Sequence, residues 1–238
     1  MEGFLKGKTA VVTGATRGIG RAVAERLLKE GARVAFCARS PAAVERTQSE
    51  LMAHFGRGVI GAPADVSDPS QVQQFFRFVD ERFGGLDALV NNAGIGIFQP
   101  VGEMDVESWK RTVDTNLTGV FLCSREAVLR MRNRGGGFVI NIGSLAGRNA
   151  FAGGAAYNAS KFGVVGFTEA MMLDHRHDDI RVCCIMPGSV ATDFQPGSQP
   201  DDWKIAPEDI ADIVIDVLRL PARTLISRVE VRPSKPQR

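Results

Sequence analysis

Short apolar runs alternate with longer segments of helical periodicity along most of this chain. The first run, residues 8–12, leads into a segment whose apolar residues Ile19, Val23 and Leu27 fall on one helical face. Parallel strands need a crossover between them, usually a helix, so this alternation predicts a parallel sheet. We therefore predict an α/β fold in which seven parallel strands form one doubly wound sheet with helices on both faces.

The same periodicity assigns bounds to the other elements. Ser40 and Pro41 suit the N-cap and first position of a helix, and Asp105 suits the N-cap of a long one. The later strands are predicted at 33–38, 59–62, 86–90, 137–142, 180–186 and about 229–231, and the later helices at 41–55, 69–83, 105–131, 157–173 and 207–218. No linker or repeat divides the chain, so we expect residues 1–238 to form one domain. A polar loop at about 189–206 is expected to close over a substrate.

Composition and charge argue against several classes of function. The chain has 238 residues, 44% of them hydrophobic, and a formal net charge of +2, so neither nucleic acid nor an anionic membrane is expected as a partner. Residues 1–8 lack the apolar core of a signal peptide, and no apolar run approaches the ~20 residues of a membrane helix. The four cysteines lack disulfide or metal spacing, which favours reduced thiols and a cytoplasmic protein. His175 and His177 fall on different helix faces, so no metal site is expected.

A glycine-rich turn follows the first predicted strand. Gly14, Gly18 and Gly20 stand between that strand and the next helix, where backbone N–H groups and the positive helix end can bind a pyrophosphate. In a doubly wound sheet, ligands bind beyond the carboxyl ends of the strands. Arg39, Asp65 and the run 91–94 also follow predicted strands, so we expect them near the same ligand.

A tyrosine and a lysine stand four residues apart in a predicted helix. Tyr157 is the only tyrosine in the chain, and Lys161 is expected on the same helical face, about 5–6 Å away at Cβ. An ammonium beside a phenol favours the phenolate and is expected to lower the tyrosine pKa, which would make Tyr157 an acid/base group near neutral pH. A half-buried tyrosine with a solvated lysine is the structural alternative.

Four motifs occur in order: Thr13-Gly14-x3-Gly18-Ile19-Gly20, Asn91-Asn92-Ala93-Gly94, Ser144 with Tyr157-x3-Lys161, and Pro187-Gly188. Together they resemble the short-chain dehydrogenase/reductase family, over residues 8 to about 192 and more loosely to 231. The resemblance implies a Rossmann-type fold with strand order 3-2-1-4-5-6-7 and a bound nicotinamide dinucleotide. It also implies a catalytic tetrad of Asn116, Ser144, Tyr157 and Lys161.

Each tetrad residue has an expected role. The Ser144 and Tyr157 hydroxyls would contact the substrate carbonyl oxygen, where negative charge grows as hydride arrives, and Tyr157 would donate the proton. By resemblance, Lys161 also binds the nicotinamide ribose, and Asn116 holds a water that links the lysine to solvent.

The charges near the second strand favour NADP over NAD. Enzymes selective for NAD place a carboxylate after this strand, whereas here Cys37-Ala38-Arg39-Ser40 contains none. Arg17 in the glycine turn supplies a second guanidinium, and two guanidiniums can hold a 2′-phosphate. The alternative is that both arginines are simply solvated.

The other cofactor contacts follow from the resemblance. Asp65 would bind the adenine amino group with Val66 beside the ring, and Val190 and Thr192 would meet the nicotinamide end. The full predicted set is Gly14, Thr16, Arg17, Gly18, Ile19, Gly20, Arg39, Asp65, Val66, Asn92, Gly94, Tyr157, Lys161, Pro187, Gly188, Val190 and Thr192.

The predicted function is therefore NADP(H)-dependent hydride transfer to or from a small carbonyl or secondary alcohol. Reduction of 3-oxoacyl groups on acyl carrier protein is an alternative, although the chain lacks the Asp-Gly-Gly ending common in those reductases. A non-catalytic NADP sensor is another. The predicted pocket walls are residues 95–98, 145–151 and 193–206, with Arg148 and Trp203 nearby. By resemblance we expect a homotetramer, or a homodimer, formed through the two long helices.

Overall fold

The computed structural model describes residues 3–194 and 202–236. Strands and helices alternate through this part of the chain. The strands are β1 (Thr9–Thr13), β2 (Arg33–Ala38), β3 (Val59–Pro63), β4 (Ala88–Asn91), β5 (Gly137–Ile142), β6 (Ile180–Pro187) and β7 (Arg228–Val231). The helices are α1 (Gly18–Lys29), α2 (Pro41–Phe55), α3 (Pro69–Phe83), α4 (Val106–Val113), α5 (Gly119–Arg132), α6 (Ala155–His175) and α7 (Pro207–Arg219).

The strands form one sheet with the order β3-β2-β1-β4-β5-β6-β7, and every neighbouring pair is parallel. The order changes direction between β1 and β4, so the chain leaves the two strands on opposite sides and opens a crevice at their carboxyl ends. The predicted Rossmann-type, doubly wound fold and its strand order are confirmed.

Two apolar layers cover the sheet because side chains alternate between faces along each strand. In β1, Ala10 and Val12 pack with residues of α1, α2 and α7, whereas Val11 packs with α3 and α5 on the other face. A smaller cluster of Val120, Val164, Cys184 and Met186 fixes α6 and α5 near β6. The sequence runs of Val, Ile and Ala in these strands are therefore buried on both sides, as parallel sheets require.

The predicted helix caps are present. Ser40 accepts a hydrogen bond from the Ala43 N–H with Pro41 at the first helical position, and Asp105 accepts one from the Ser108 N–H. One helix prediction was wrong in detail. The segment predicted as one helix over 105–131 is divided into α4 and α5 by a turn of π-helix at Asp114–Thr118, which widens the helix around Asn116.

The polar loop is described only at its two ends. Val190 and Ile205 pair as a parallel bridge, and the Ala191 N–H donates to Ile205 O at 2.9 Å. The middle of the predicted loop, which contains Pro196, Gly197 and Pro200, lies outside the described residues. Among the helices of the described residues, none is long and apolar enough to cross a membrane.

Candidate active site

A cleft of about 1320 Å³ lies at the carboxyl ends of the strands. Its wall contains every residue predicted to contact the cofactor except Gly20, and it contains three of the predicted tetrad, Ser144, Tyr157 and Lys161. Gly20 and Asn116 lie behind the wall, where each contacts residues that line it. The sheet topology therefore brings motifs from five parts of the chain into one site.

The glycine turn is fastened to the end of β4 by Asn92 and Thr13. The Asn92 amide donates to the carbonyls of Thr13 and Gly14, both at 3.0 Å, and the Thr13 hydroxyl accepts from the N–H groups of Asn92 and Ala93. A Cβ on Gly14, whose φ is +67°, would come within 2.8 Å of the Ala93 backbone, and a Cβ on Gly20 would overlap the Asn92 amide. The first and third glycines therefore permit close packing of two loops.

The N-terminus of α1 faces this cleft without a side-chain cap. Arg17 occupies the N-cap in an extended conformation, and its side chain accepts no hydrogen bond from the helix. The first N–H groups of α1 are therefore available, and Thr16, Arg17, Gly18 and Ile19 all line the cleft beside them. This is the arrangement that binds a phosphate group at a helix N-terminus.

Three arginines line the cleft near the end of β2. Arg17 and Arg39 were predicted there, and Arg46 of α2 joins them. All three are exposed, and over residues 3–194 and 202–236 none of them forms an ion pair. Arg46 is three residues after Ala43 on α2, and Ala43 also lines the cleft. Neither residue directly follows a strand, so no local sequence signal identified Arg46.

Asp65 lines the same cleft as these cations. One of its oxygens accepts from the N–H and the hydroxyl of Ser67, at 2.9 Å and 2.7 Å. Its backbone N–H donates to Gln71 Oε1 at 3.0 Å. Asp65 is therefore held in a local turn with Val66 beside it in the wall, and its second carboxylate oxygen has no partner among the described residues.

Tyr157 and Ser144 lie beside each other in the wall of the cleft. Tyr157 projects from the first turn of α6, and Ser144 follows β5, where its hydroxyl also accepts from the Ala146 N–H at 3.1 Å. Burial raises the pKa of Tyr157, and the hydrogen bond with Ser144 lowers it in part. The Tyr157 phenol is therefore protonated at neutral pH.

Lys161 differs from its prediction. Its Nζ lies 5.8 Å from the centre of the Tyr157 ring but donates to the Ile142 carbonyl oxygen at 2.9 Å. The side chain is only 6% exposed, and burial lowers the pKa of the ammonium from 10.5 to about 8. The expectation that Lys161 depresses the tyrosine pKa was wrong for this structure, because the ammonium points to a carbonyl and not to the phenol oxygen.

Asn116 is fully buried in the π-helical turn and joins two parts of the site. Its Oδ1 accepts from the Ile95 N–H at 2.8 Å, while Nδ2 donates to Ile95 O at 2.9 Å and to the Ser160 hydroxyl at 3.1 Å. Ser160 in turn donates to the Tyr157 carbonyl at 2.7 Å. Both amide hydrogens of Asn116 are thus used by protein atoms, so this side chain positions Ile95 and α6.

Aromatic rings surround Tyr157 on the open side of the cleft. The ring centres of Phe98, Phe151 and Phe194 lie 5.5, 6.4 and 5.8 Å from that of Tyr157. We call these three phenylalanines the aromatic wall. It lies within the predicted pocket walls, but Arg148 does not line the cleft and pairs instead with Glu230.

The C-terminal segment was not expected at the site. Gly188 donates its N–H to Val231 O at 2.8 Å, so the chain after β7 continues beside the cleft and adds Arg232, Pro233 and Pro236 to its wall. The sequence carries no local signal for this placement, since it depends on pairing between β6 and β7.

The fold and the site define a dinucleotide-binding oxidoreductase in which a serine, a tyrosine and a lysine face the same cleft as the glycine turn. The model of the short chain dehydrogenase family matches residues 8–203. The chain belongs to the short-chain dehydrogenase/reductase family.

Particular relatives agree with this assignment. The chain is 37% identical to the 3-oxoacyl-[acyl-carrier-protein] reductase FabG of Vibrio cholerae, over 80% of this chain and 76% of that protein. It is also 37% identical to the glycine betaine reductase ATRR of Emericella nidulans over 98% of this chain, but it spans only 19% of that much longer protein. A metagenomic short-chain oxidoreductase solved in complex with NADP superposes with a TM-score of 0.86 at 36% identity, covering 98% of this chain and 99% of that one.

Proposed function

We propose that this chain is an NADP(H)-dependent oxidoreductase that interconverts a carbonyl compound and a secondary alcohol. The observation that carries the proposal is that Ser144 and Tyr157 lie beside each other in the wall of the cleft that also contains the glycine turn. Two neighbouring hydroxyls can both donate to a substrate oxygen placed between them. The related oxidoreductase solved with NADP supports the choice of cofactor.

The chain's own residues fit a dinucleotide along the cleft. The free N–H groups at the start of α1, with Gly14 and Gly18 beside them, would hold the pyrophosphate. Asp65 and Val66 would hold the adenine, and Val190 and Thr192 would hold the nicotinamide end. When bound, the nicotinamide supplies or accepts the hydride.

Tyr157 acts as the acid in the reducing direction. Ser144 and Tyr157 orient the carbonyl by donating to its oxygen, and both bonds strengthen as negative charge develops there. Tyr157 then gives its phenolic proton to that oxygen. Lys161, whose Nζ lies 5.8 Å from the ring centre, would bind the nicotinamide ribose beside this acid. The reverse sequence applies to alcohol oxidation.

Tyr157→Phe tests this function. The variant keeps the ring and its packing against the aromatic wall but loses the proton donor. We expect NADPH consumption with ketones to fall by about 10³-fold or more while NADPH binding, followed by its fluorescence, stays within about twofold. Wild-type protein that binds NADPH tightly and reduces no carbonyl would instead indicate a non-catalytic sensor.

We also propose a preference for NADP over NAD. The support is the group of three unpaired guanidiniums at the end of β2, where Arg17 and Arg39 would hold the 2′-phosphate by charge-assisted bonds. Arg39→Asp is expected to reverse the preference, measured as the ratio of kcat/KM for NADPH and NADH. Arg57→Asp, an equally exposed site outside the cleft, is the matched control and should leave the ratio unchanged.

Reduction of 3-oxoacyl groups is the second candidate function, supported by the similarity to the Vibrio cholerae reductase. A 3-oxoacyl thioester of acyl carrier protein, compared with the same thioester of a short thiol, tests it. A large kcat/KM gain from the carrier would favour this candidate, whereas equal values would leave simple ketones as the better class.

Two further proposals concern assembly and compartment. Apolar side chains on α5 and α6, including Phe121, Leu129 and Leu173, are 44%, 50% and 58% exposed, which supports a homotetramer or homodimer through these helices. Light scattering of the pure protein measures the assembly. The four buried, free cysteines support a reducing, cytoplasmic location, which imaging of a tagged chain would test.

A further inference from the structure

The two ends of the cleft carry different charge. At the end near β2, Arg17, Arg39 and Arg46 are unpaired among the described residues. Near Ser144, by contrast, Arg148 and Arg232 both pair with Glu230, Arg232 at 3.1 Å. An anionic group would therefore meet unpaired guanidiniums near β2, where the nucleotide would bind, and paired guanidiniums near Ser144, where the substrate would bind.

The aromatic wall occupies the space that a substrate must enter to reach Tyr157. Phe151 and Phe194 remain 45% and 38% exposed, although they are apolar and line a concave site. The rings meet Tyr157 at interplanar angles of 51° to 67°, so their edges and faces both point toward the phenol. Edge-to-face contact with another flat ring suits this geometry.

Two glycines make room for the wall. A Cβ at Gly96 would lie 2.6 Å from Phe98 Cζ and 2.7 Å from Phe194 Cε1. A Cβ at Gly154 would lie 2.6 Å from Phe151 Cε2. Each of the three rings thus rests where its neighbouring loop has no side chain, and a larger residue at either glycine would push the rings away from their present positions.

We propose that the substrate is a neutral ketone with an aromatic ring next to its carbonyl group, or the corresponding alcohol. This inference rests on the proposed function and specifies its substrate. The carbonyl oxygen takes the hydroxyls of Ser144 and Tyr157, and the ring packs among Phe98, Phe151 and Phe194. Carboxylate substrates are disfavoured, because the three phenylalanine rings around Tyr157 offer a carboxylate no hydrogen-bond donor.

The test compares four ketones with NADPH: acetophenone, cyclohexyl methyl ketone, 2-butanone and acetoacetate. Wild-type kcat/KM is expected to be highest for acetophenone. Phe151→Ala and Phe194→Ala are each expected to lower the ratio of kcat/KM for acetophenone to kcat/KM for 2-butanone about tenfold. Both residues are partly exposed, at 45% and 38%, so truncation removes little core packing and the variants should fold. Phe4→Ala, which removes a similarly exposed ring far from the cleft, is the control.

The outcomes separate this inference from the proposed function. Preference for acetophenone, lost in both cleft variants and kept in Phe4→Ala, supports the aromatic substrate class. Best turnover of cyclohexyl methyl ketone or acetoacetate, or acetophenone turnover that neither variant changes, overturns the substrate class but leaves the reductase intact. NADPH binding without turnover of any of the four, or of the 3-oxoacyl thioesters, overturns both.

Discussion

Lys161→Met is expected to remove catalysis and, at neutral pH, to leave the free energy of unfolding of the ligand-free protein within about 2 kcal/mol of the wild type. The structure buries this ammonium, which lowers its pKa from 10.5 to about 8. A pKa difference of that size corresponds to about 3 kcal/mol by which folding disfavours the charged lysine. Methionine is similar in length, fills the same space and carries no charge.

The hydrogen bond to Ile142 stabilises the wild type and therefore offsets the benefit of removing the buried charge. Lys161 Nζ donates to the Ile142 carbonyl oxygen at 2.9 Å, and a charged donor of this kind contributes about 1.5–3 kcal/mol. The two effects nearly cancel at pH 7, so we expect the free energies of unfolding of the variant and the wild type to differ by less than about 2 kcal/mol. Activity, in contrast, should fall by orders of magnitude.

The pH dependence is the sharper part of this prediction. Below pH 8 the lysine is charged in both the folded and the unfolded protein, and the folded state bears the full cost of burying that charge. Between pH 8 and 10.5 the folded protein releases this proton while the unfolded chain retains it, so wild-type stability rises with pH relative to the variant. Between pH 7 and pH 10, the free energy of unfolding of the wild type should rise by about 2.5 kcal/mol relative to that of Lys161→Met.

Urea unfolding of both proteins at intervals from pH 7 to pH 10, without cofactor, measures this change. Taking the difference between the two proteins cancels the titration of groups they share. A Lys161→Met difference that stays constant from pH 7 to pH 10 would refute the argument from burial.

Three further substitutions address the site. Arg46→Ala is expected to raise the KM for NADPH about tenfold and to leave the KM for NADH unchanged, because only the 2′-phosphate of NADPH would contact this guanidinium. Arg57→Ala is the control. Ser160→Ala breaks the bridge between the π-helical turn and α6 and should lower kcat about tenfold with an unchanged Kd for NADPH. Gly20→Ala introduces a Cβ into the tightly packed turn and should lower Tm by about 5 °C or more, whereas Gly102→Ala, with nothing within 4 Å of its Cβ, should not.

Each of these has a result that would contradict it. Equal KM increases for both cofactors would place Arg46 away from the 2′-phosphate. A loss of NADPH affinity in Ser160→Ala would mean that the bridge supports the cofactor pocket and not the tyrosine. An unchanged Tm for Gly20→Ala would show that the turn has room to relax.

The elements predicted correctly from sequence are those with local signals. The starts of two helices could be predicted from Ser40, Pro41 and Asp105. The caps that Ser40 and Asp105 form use backbone N–H groups three residues away and need no distant partner. The apolar runs that became β1, β5 and β6 are buried on both faces and so contain little else. The cleft residues could be predicted once these strands were assigned, because the sequence motifs of the site stand directly after strands.

The features missed from sequence depend on tertiary contacts. The π-helical turn arises where Asn116 meets the Ile95 backbone, a partner 21 residues away. Lys161 turns to a carbonyl at the end of β5, which its i,i+4 spacing from Tyr157 could not indicate. Arg232 reaches the cleft only through the pairing of β7 with β6. Local periodicity describes neighbours within a helix and carries no information about such approaches.

The position of α6 depends on hydrogen bonds that cross the core. Asn91 donates to Asn141 at 2.8 Å, Asn141 donates to the Thr168 hydroxyl at 2.9 Å, and Thr168 donates to the Val164 carbonyl, so a fully buried polar chain runs from β4 through β5 into α6. Apolar packing tolerates small shifts of a helix along a sheet, whereas buried hydrogen bonds lose their partners if the helix slides. Ser160 fixes the other end of the helix by joining it to Asn116. The distance between the Tyr157 and Ser144 hydroxyls is therefore set by the directional hydrogen bonds of α6. The apolar core beneath α6 stabilises the helix against the sheet but does less to fix its position.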